Sequence, residues 1–404
     1  MTDTGVSPGF DVAFERARTV GTTSAHHLNA AGAALPTTGV VEAVVGHLRR
    51  EQRDGGYEAS AAVAGRIGEL YAGIARLVGA EPDEVALFDS ATTGLRVLVD
   101  ALRLTGPGRL LVSRSTYVSH ALHLLTLVRE RGLELVVLPC DATGGIDLEE
   151  LERLLREGRG DTVCVAHVPT SSGLVEPVAA VGALARRHGA RFLLDATQSV
   201  GQLAVDVDEI GCDALVTTGR KFLRAPRGTA FGIVRRGLIA DLAPSAPDVR
   251  GADWTSDLDW SLAPSARRFE TWESSVACRL GLAAAVDELL ERGMAATERH
   301  LVAQGERLRG DLAAVPGVTV QDPPSSRSAI VTFTVAGLPA DRVNRRLASD
   351  GVRTVSVPAS HGQWDLGRRG VPAVVRASTH VYNDDADLDA LVQAVARLAG
   401  QAAS

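Results

Sequence analysis

The chain has 404 residues, of which 45% are hydrophobic and 23% are charged, enough for one large domain and a smaller one. Its formal net charge of -7 argues against nucleic-acid binding as the main function. No apolar run reaches about 18 residues, which argues against a membrane-spanning helix. The sequence begins without the layout of a secretion signal, and its four cysteines are scattered, so we expect a cytoplasmic protein without disulfides.

Seven short runs rich in aliphatic residues alternate with helical patterns between about residues 60 and 240. These strand-like runs are EVALFDS (84–90), GRLLVSR (108–114), LELVVLPCD (133–141), TVCVAHV (162–168), RFLLDAT (191–197), ALVTTG (214–219) and TAFGIVRR (229–236). Asp147 is the predicted N-cap of the helix after the third run. Apolar strands separated by helices predict an α/β fold with a mainly parallel sheet covered on both faces.

The pattern changes after about residue 262. A long amphipathic helical stretch (274–315) is broken near Gly293, and two strand-like segments (329–337 and 372–379) then flank a further helix. The predicted organisation is an N-terminal segment (1–25), a large α/β domain (26–262) and a smaller α+β C-terminal domain (263–404).

The ends of the predicted strands are rich in hydroxyl residues and glycine. Ligands of open α/β sheets bind beyond the carboxyl ends of the strands. SATTG (90–94) opens a helix after the first strand, and its free backbone N–H groups with the hydroxyls of Thr92 and Thr93 predict a phosphate site. The same residues are also ordinary helix N-caps. Neither a Walker A motif nor GxGxxG occurs, which argues against a mononucleotide or dinucleotide site.

Lys221 is the only lysine among the 42 lysines and arginines of the chain. A guanidinium stays charged and is a poor nucleophile, so a lysine here predicts amine chemistry through a Schiff base, with chance retention as the alternative. Asp195 ends an apolar run, and three roles are open for it. It is a helix N-cap, a member of a structural ion pair, or the partner of a protonated ring nitrogen. A Schiff-base lysine, a phosphate site and a carboxylate for a pyridinium together predict pyridoxal 5'-phosphate as cofactor.

The segment DATQSVGQLAVDVDEIGCDALVTTGRKFLRAPRGTAF (195–231) resembles the cofactor-lysine region of class V aminotransferases. That family includes cysteine desulfurases, cysteine lyases and isopenicillin N epimerase-like enzymes. The resemblance extends from HLNAAGAALP (27–36) to VVRASTHVYND (374–384). It implies a pyridoxal-phosphate enzyme of fold type I, with a mainly parallel seven-stranded sheet, a smaller C-terminal domain and a homodimeric assembly.

The resemblance also implies roles for individual side chains. Lys221 forms the Schiff base and moves protons at the substrate Cα, Asp195 pairs with the pyridine nitrogen, and Gln198 contacts the phenolic oxygen. Arg220 stands where the family usually has a histidine that serves the phosphate, and a guanidinium can do the same through paired hydrogen bonds. The implied phosphate ligands are Thr92, Thr93, Thr218 and Arg220.

Three further residues are candidates for contacts with the cofactor or substrate. Tyr117 falls where the family places an aromatic ring, often histidine, over the cofactor; a core aromatic is the alternative. Arg376 matches the arginine that binds the substrate α-carboxylate, with an ion pair as the alternative. Tyr57, in DGGYEAS (54–60), lies where the family tends to place an entrance segment, and a simple loop is the alternative.

The sequence departs from the family pattern in two places. Cysteine desulfurases carry a mobile catalytic cysteine in the segment that corresponds to residues 351–376, and this segment contains His361 and Trp364 but no cysteine. This argues against a persulfide-forming desulfurase. The Gly-Thr pair that usually reaches the neighbouring subunit's phosphate is replaced in RRFETWESS (267–275).

No metal-binding spacing of histidines occurs, so we predict no metal.

The candidate reactions share an amino-acid substrate and differ in the fate of the charge at its Cα. The favoured hypothesis is a C–S β-lyase that acts on an S-conjugated cysteine in a biosynthetic, natural-product pathway. An epimerase, an aminotransferase or a decarboxylating deaminase of the same family is the alternative. A noncatalytic binding protein with the same fold is the alternative of another class, although it would have no reason to retain the chain's single lysine.

Overall fold

The computed structural model describes residues 10–105, 108–158 and 160–403. The helices are α1 (Val12–Ala17), α2 (Ala30–Ala33), α3 (Thr38–Asp54), α4 (Gly56–Ala62), α5 (Ala64–Val78), α6 (Ala91–Ala101), α7 (Val118–Arg131), α8 (Leu148–Leu155), α9 (Val178–Arg187), α10 (Val207–Ile210), α11 (Arg236–Ile239), α12 (Val276–Arg292), α13 (Met294–Ala313), α14 (Ala340–Ser349) and α15 (Asp385–Ala403). The strands are β1 (His26–His27), β2 (Val85–Phe88), β3 (Arg109–Val112), β4 (Glu134–Val137), β5 (Thr162–Ala166), β6 (Arg191–Asp195), β7 (Ala214–Thr218), β8 (Ala230–Val234), β9 (Ala252–Trp254), β10 (Trp260–Leu262), β11 (Val318–Val320), β12 (Ile330–Val335), β13 (Val352–Arg353), β14 (Val355–Pro358) and β15 (Ala373–Ser378).

A seven-stranded sheet forms the centre of the molecule. Its strand order is β2-β8-β7-β6-β5-β3-β4, and every neighbouring pair is parallel except the two that involve β8. The seven strand-like runs of the sequence supply these seven strands, so the predicted α/β fold with a mainly parallel sheet is confirmed. Asp147 caps α8 as predicted, since its carboxylate accepts hydrogen bonds from the backbone N–H groups of Glu149 and Glu150, each at 3.1 Å.

Helices pack on both faces of this sheet and bury its apolar side chains. The predicted break in the long helical stretch is confirmed at Gly293, whose φ of +83° is a conformation that favours glycine. The helix before the break, α12, packs against α3 and α5, and its Leu289 belongs to the same apolar cluster as Leu70 and Ile74 of α5. This helix therefore shares the core of the large sheet, although it lies after residue 262.

A second sheet lies in the C-terminal part of the chain, with the antiparallel order β11-β12-β15-β14. The two predicted strands of this region are β12 and β15, and the helix predicted between them is α14. Phe333 of this sheet packs with Val343 of α14 and Leu391 of α15 in one apolar cluster. Strand β1 pairs with β13, so the beginning of the described chain is attached to its C-terminal part.

The topology brings chemically active side chains to one edge of the large sheet. The carboxyl ends of five strands meet at this edge, because these strands run in one direction: β2, β3, β5, β6 and β7.

Over the described residues, no helix is both long and apolar enough to cross a bilayer.

Candidate active site

A cavity of about 260 Å³ lies at the carboxyl ends of the parallel strands. Its wall is built from the segments after β2, β3, β5, β6 and β7, which is the position expected for a ligand site in an open α/β sheet. The sequence-predicted residues on its wall are Thr92, Tyr117, Asp195, Gln198, Thr218, Arg220 and Lys221.

Lys221 lies three residues beyond the end of β7 and is buried, with only 7% of its surface exposed. Burial, followed by the charges of Arg220 and Arg376, holds the pKa of its amine well below the usual range, although Asp195 opposes this shift. A buried cation costs free energy, so burial favours the neutral amine more than it is favoured in an exposed lysine. A neutral amine has the lone pair that a nucleophile or a general base requires.

Asp195 is the last residue of β6 and is buried at the cavity wall. One of its carboxylate oxygens, Oδ1, accepts a hydrogen bond from the backbone N–H of Thr197 at 3.0 Å. The imidazole of His120 lies near it on the first turn of α7, and burial lowers the pKa of His120 to about 4 in spite of the Asp195 charge. His120 also lines the cavity, and its Nε2 atom has no hydrogen-bond partner within the described part of the chain.

The N-terminus of α6 forms another part of the wall. Ser90 is the N-cap, and its Oγ accepts a hydrogen bond from the backbone N–H of Thr93 at 3.1 Å. Thr92 lines the cavity around Lys221, whereas the hydroxyl of Thr93 pairs with Ser90 at 2.9 Å and its side chain faces an adjacent cavity. The structure therefore places only the first of the two predicted threonine side chains on this wall.

Thr218 and Arg220 approach the cavity from the end of β7 and the segment after it. The hydroxyl of Thr218 donates to the carbonyl oxygen of Thr229 at 3.3 Å, and the guanidinium of Arg220 donates to the carbonyl oxygen of Gly32. Burial, together with the neighbouring charge of Arg227, lowers the pKa of Arg220 from its usual value. A half-buried guanidinium on the same wall as a helix N-terminus provides positive charge for an anionic group.

Gln198 and Tyr117 complete the wall on two other sides. The amide Nε2 of Gln198 donates to the carbonyl oxygen of Ala31 at 3.2 Å and to the hydroxyl of Thr170 at 3.4 Å. Its amide oxygen is buried without a hydrogen-bond partner among the described residues. Tyr117 is the N-cap residue of α7, and the ring of His361 meets its ring edge to face at a centroid distance of 6.4 Å.

Arg376 is buried behind the wall on β15. Its guanidinium donates to the backbone oxygen of Thr170 at 3.1 Å and to the Asn29 side chain at 3.4 Å. Its Nε–H group has no partner within the described residues. Burial, and next the charge of Arg220, lower the pKa of Arg376 to about 10. Thr170, which lines the cavity, therefore connects Arg376 with Gln198.

Tyr57, a predicted substrate contact, and Trp364, of the segment without cysteine, both lie away from the cavity wall. Tyr57 is on α4, is 80% exposed and lines a separate cavity of about 600 Å³ beside Trp272, so the chain itself does not bring Tyr57 to Lys221. Trp364 lies in a π-helical turn (Gln363–Gly367) and packs against the apolar cluster that contains Val112 and Leu124.

Sequence reasoning missed His120, Thr170 and a buried carboxyl, Glu176. Glu176 accepts a hydrogen bond from the hydroxyl of Ser115 at 3.0 Å, and Ser115 lines the cavity. Burial raises the pKa of Glu176 to about 7, against hydrogen bonds from Ile146 and Ser115 that lower it. The sequence signal for His120 was its spacing of three residues from Tyr117, which places both on one face of a helix start.

Comparison with known proteins decides the family. The sequence from residue 26 to residue 391 matches the family model of the class V aminotransferases. The chain belongs to the class V aminotransferase family. A probable cysteine desulfurase from Halobacterium salinarum is 31% identical over 374 residues, which cover 88% of this chain and 87% of the relative.

Solved structures of other proteins have the same fold as this chain. An apo cysteine desulfurase from Thermococcus onnurineus NA1 matches with a TM-score of 0.89 and 22% identity, over 96% of this chain and 97% of the other. The cystine C–S lyase C-DES, in complex with its reaction product cysteine persulfide, matches with a TM-score of 0.83 and 20% identity, over 94% and 99% of the two chains.

As a class V family member, the protein is a fold type I enzyme that depends on pyridoxal 5'-phosphate. The chemical groups on the cavity wall fit that cofactor. It offers a buried lysine, a carboxylate, a helix N-terminus with hydroxyl groups and the amide of Gln198 with unused hydrogen-bonding capacity. The carbonyl oxygen of Ala31 accepts from the amide nitrogen, so the amide oxygen is the atom with unused capacity among the described residues.

Proposed function

We propose that this class V enzyme is a C–S β-lyase that acts on an S-substituted cysteine. The observation that carries the proposal is the chemistry of the cavity wall around Lys221. Among the described residues, none of the four cysteines lines this wall, so no thiol is available there to accept sulfur from a substrate. A reaction in which the substrate's own sulfur leaves as a thiol needs only an amine base and a group that stabilises charge at Cα.

The proposed cofactor contacts agree with the placement of the side chains. Lys221 would bind the cofactor through its amine, Asp195 would pair with the ring nitrogen and Gln198 would contact the phenolic oxygen. Tyr117 would contact the ring. The α6 N-terminus, Thr92, Thr218 and Arg220 would hold the phosphate, with Thr93 supporting the helix end through Ser90. When bound, the cofactor supplies an electron-accepting ring conjugated to the substrate nitrogen.

The residues of the chain then move one proton and hold the substrate. Once the substrate's amino group has taken its place, the released amine of Lys221 would remove the proton from the substrate Cα. The Cβ–S bond breaks and its electron pair leaves with sulfur, which takes up a proton to become a thiol. Water hydrolyses the remaining three-carbon fragment to pyruvate and ammonia, so the atoms balance. Arg376 binds the α-carboxylate through the N–H group that has no partner within the described residues.

A homodimer is part of the proposal. The hairpin of β9 and β10 exposes Trp254 (82%), Leu258 (87%) and Trp260 (58%), and Trp272 is exposed nearby in sequence. Exposed aromatic and aliphatic groups of this kind are typical of an interface. Tyr57 and Trp272 line one cavity of the chain, and we propose that in a dimer this cavity faces the other subunit's site, which would give Tyr57 the role predicted for it.

The direct test is an assay of the holoenzyme with S-methyl-L-cysteine. The proposal predicts equal amounts of methanethiol, pyruvate and ammonia. A keto acid that retains sulfur would instead assign the enzyme as an aminotransferase. Recovery of S-methyl-D-cysteine with deuterium at Cα in heavy water would assign it as an epimerase. Either result would contradict the lyase.

A further inference from the structure

Arg224 is an unusual residue three positions after Lys221. It is almost fully buried, and its φ of +62° lies in the left-handed region that ordinarily favours glycine. Its backbone N–H donates to the carbonyl oxygen of Lys221 at 3.0 Å. The position of Arg224 is therefore coupled directly to the position of the Lys221 backbone.

The side chain of Arg224 reaches across to the N-terminal part of the described chain. Its guanidinium contacts the carboxylate of Glu15 at 2.8 Å, the hydroxyl of Thr19 and the carbonyl oxygen of Leu35 at 2.9 Å. The guanidinium also lies over the ring of Tyr382, 5.1 Å from its centroid. Each of its three nitrogen atoms thus donates a hydrogen bond inside the protein, which helps to offset the cost of a buried cation.

Glu15 connects a third element to this pair. Its other carboxylate oxygen accepts a hydrogen bond from Arg292, the last residue of α12, at 2.7 Å. Burial opposes ionisation of Glu15, but Arg292 and Arg224 together hold its pKa below the usual value, so it remains a carboxylate. Helix α1, the Lys221 segment and the end of α12 therefore meet at one buried carboxylate.

We propose that the Glu15–Arg224 ion pair is a positioning device that holds Lys221 in the cavity. Neither residue lines the cavity wall, and neither is among the residues proposed to touch the cofactor or the substrate. They act through the hydrogen bond between Arg224 N–H and the Lys221 carbonyl oxygen. The inference rests on the proposed role of Lys221 as the reactive amine and adds helix α1 to the elements that control it.

The single lysine of the chain allows a direct measurement of this positioning. In the apoprotein, Lys221 can be acetylated with acetic anhydride at a series of pH values, and peptide mass spectrometry separates it from the α-amino group. The midpoint of the labelling curve reports how far burial disfavours the charged amine. Charges that act on this amine are Arg220 and Arg376, which disfavour its protonation, and Asp195, which favours it. The test variants retain all three charges.

The variants are Glu15→Gln and Arg224→Gln, each shown to be folded by circular dichroism before labelling. Loss of the ion pair lets water reach the Lys221 segment, so the labelling midpoint rises towards that of an exposed amine, by about one pH unit. The matched control is Asp161→Asn, because Arg109 and Asp161 form a buried pair of the same kind at the opposite edge of the sheet, with contacts of 2.7 and 2.8 Å. Its labelling midpoint is expected to equal that of the wild type.

An unchanged midpoint in folded Glu15→Gln, or an equal rise in Asp161→Asn, would overturn the inference. If Arg224→Gln does not fold, Glu15→Gln decides the question alone, because a glutamine preserves the shape of the side chain. The measurement uses no cofactor and no substrate. An enzyme that proves not to be a lyase would therefore still give the expected shift, and failure of either proposal can be told from failure of the other.

Discussion

Burial shifts the pKa values of three groups around the cavity in the direction that keeps each of them neutral. The amine of Lys221 and the imidazole of His120 have lowered pKa values, and the carboxyl of Glu176 has a raised one. One physical cause explains both directions, because a low-dielectric environment disfavours whichever form carries charge. The arrangement gives a neutral base, Lys221, beside the carboxylate of Asp195.

Glu176→Gln is expected to change how stability depends on pH. The pKa of Glu176 rises from 4.5 to about 7 on folding, so its protonated form contributes stability that is complete below pH 4.5 and is lost as the pH rises through about 7. Glutamine does not ionise, so the variant does not lose stability through this group as the pH rises. Relative to wild type, its free energy of unfolding should therefore increase between pH 5 and pH 8, by about 3 kcal/mol. Urea titrations at a series of pH values measure this, and a difference that is constant with pH would contradict it.

Asp195→Asn preserves the shape of the side chain and removes its charge. We expect kcat to fall by about 100-fold or more, because the ring nitrogen would lose the charge that keeps it protonated. The visible absorption band that depends on Lys221 should persist, since the amine is unchanged. Asp161→Asn, at the opposite edge of the sheet, is the control and should leave kcat within about twofold of wild type. Equal kcat values for the two variants would show that Asp195 has no such role.

Residue positions show where sequence reasoning succeeds and where it stops. Lys221 and Asp195 lie at or just beyond the ends of buried strands, and strand ends in a parallel sheet converge, so their placement on one cavity could be predicted. Thr92 and Thr93 could not be told apart, because successive residues of a helix point about 100° apart and only the phase of α6 decides which one faces the cavity. Thr170 lies in a loop whose path depends on contacts with Arg376 and Gln198, which are remote in sequence.

At the scale of elements, the segment from residue 359 to residue 371 contacts the cavity wall at one residue, Tyr117. It combines a 3-10 turn (Ala359–His361) with a π-helical turn (Gln363–Gly367). Trp364 packs into the core beneath, while the His361 ring reaches Tyr117 on the wall. π-Helical turns are often found at functional sites, and in this one Trp364 anchors a segment whose His361 ring contacts Tyr117 of the wall.

Trp364→Ala is expected to release this segment. Loss of the anchor loosens the segment beside Tyr117 and moves His361 away from that ring, so KM for the amino acid should rise by about 10-fold with a smaller change in kcat. His361→Ala is the matched control, because it removes the ring contact and keeps the anchor. Steady-state kinetics of both variants measure the effect. An unchanged KM in Trp364→Ala would show that the segment does not shape the substrate site.

At the scale of the whole molecule, the central sheet could be predicted because its strands are continuous apolar runs. The same runs end in polar residues that line the cavity, and this combination predicts the edge of the sheet at which the site lies. The short strands β11 and β14 were not predicted, since they are edge strands with weak patterns. The role of Tyr57 could not be resolved, because it depends on a second subunit that the sequence of one chain does not place.

The dimer itself is testable. Analytical ultracentrifugation of the wild type should give twice the 42.3 kDa mass of the chain. A double variant, Trp254→Asp and Trp260→Asp, places charges on the exposed hairpin and should shift the protein towards the monomer with loss of lyase activity. Substitution of an exposed residue outside the hairpin, Leu122→Asp on α7, is the control. A wild type that sediments as a monomer would contradict the proposed assembly.

The central claim is that Lys221 is the amine that binds the cofactor and begins the reaction. Its most direct test is the visible absorption spectrum of the protein with pyridoxal 5'-phosphate, compared among wild type, Lys221→Ala and Lys221→Arg, before and after addition of S-methyl-L-cysteine. We predict a band in the wild type that is absent from both variants and that changes with substrate as thiol and pyruvate appear. Arginine keeps the positive charge but not the nucleophile, so the same band in Lys221→Arg would contradict this role of Lys221.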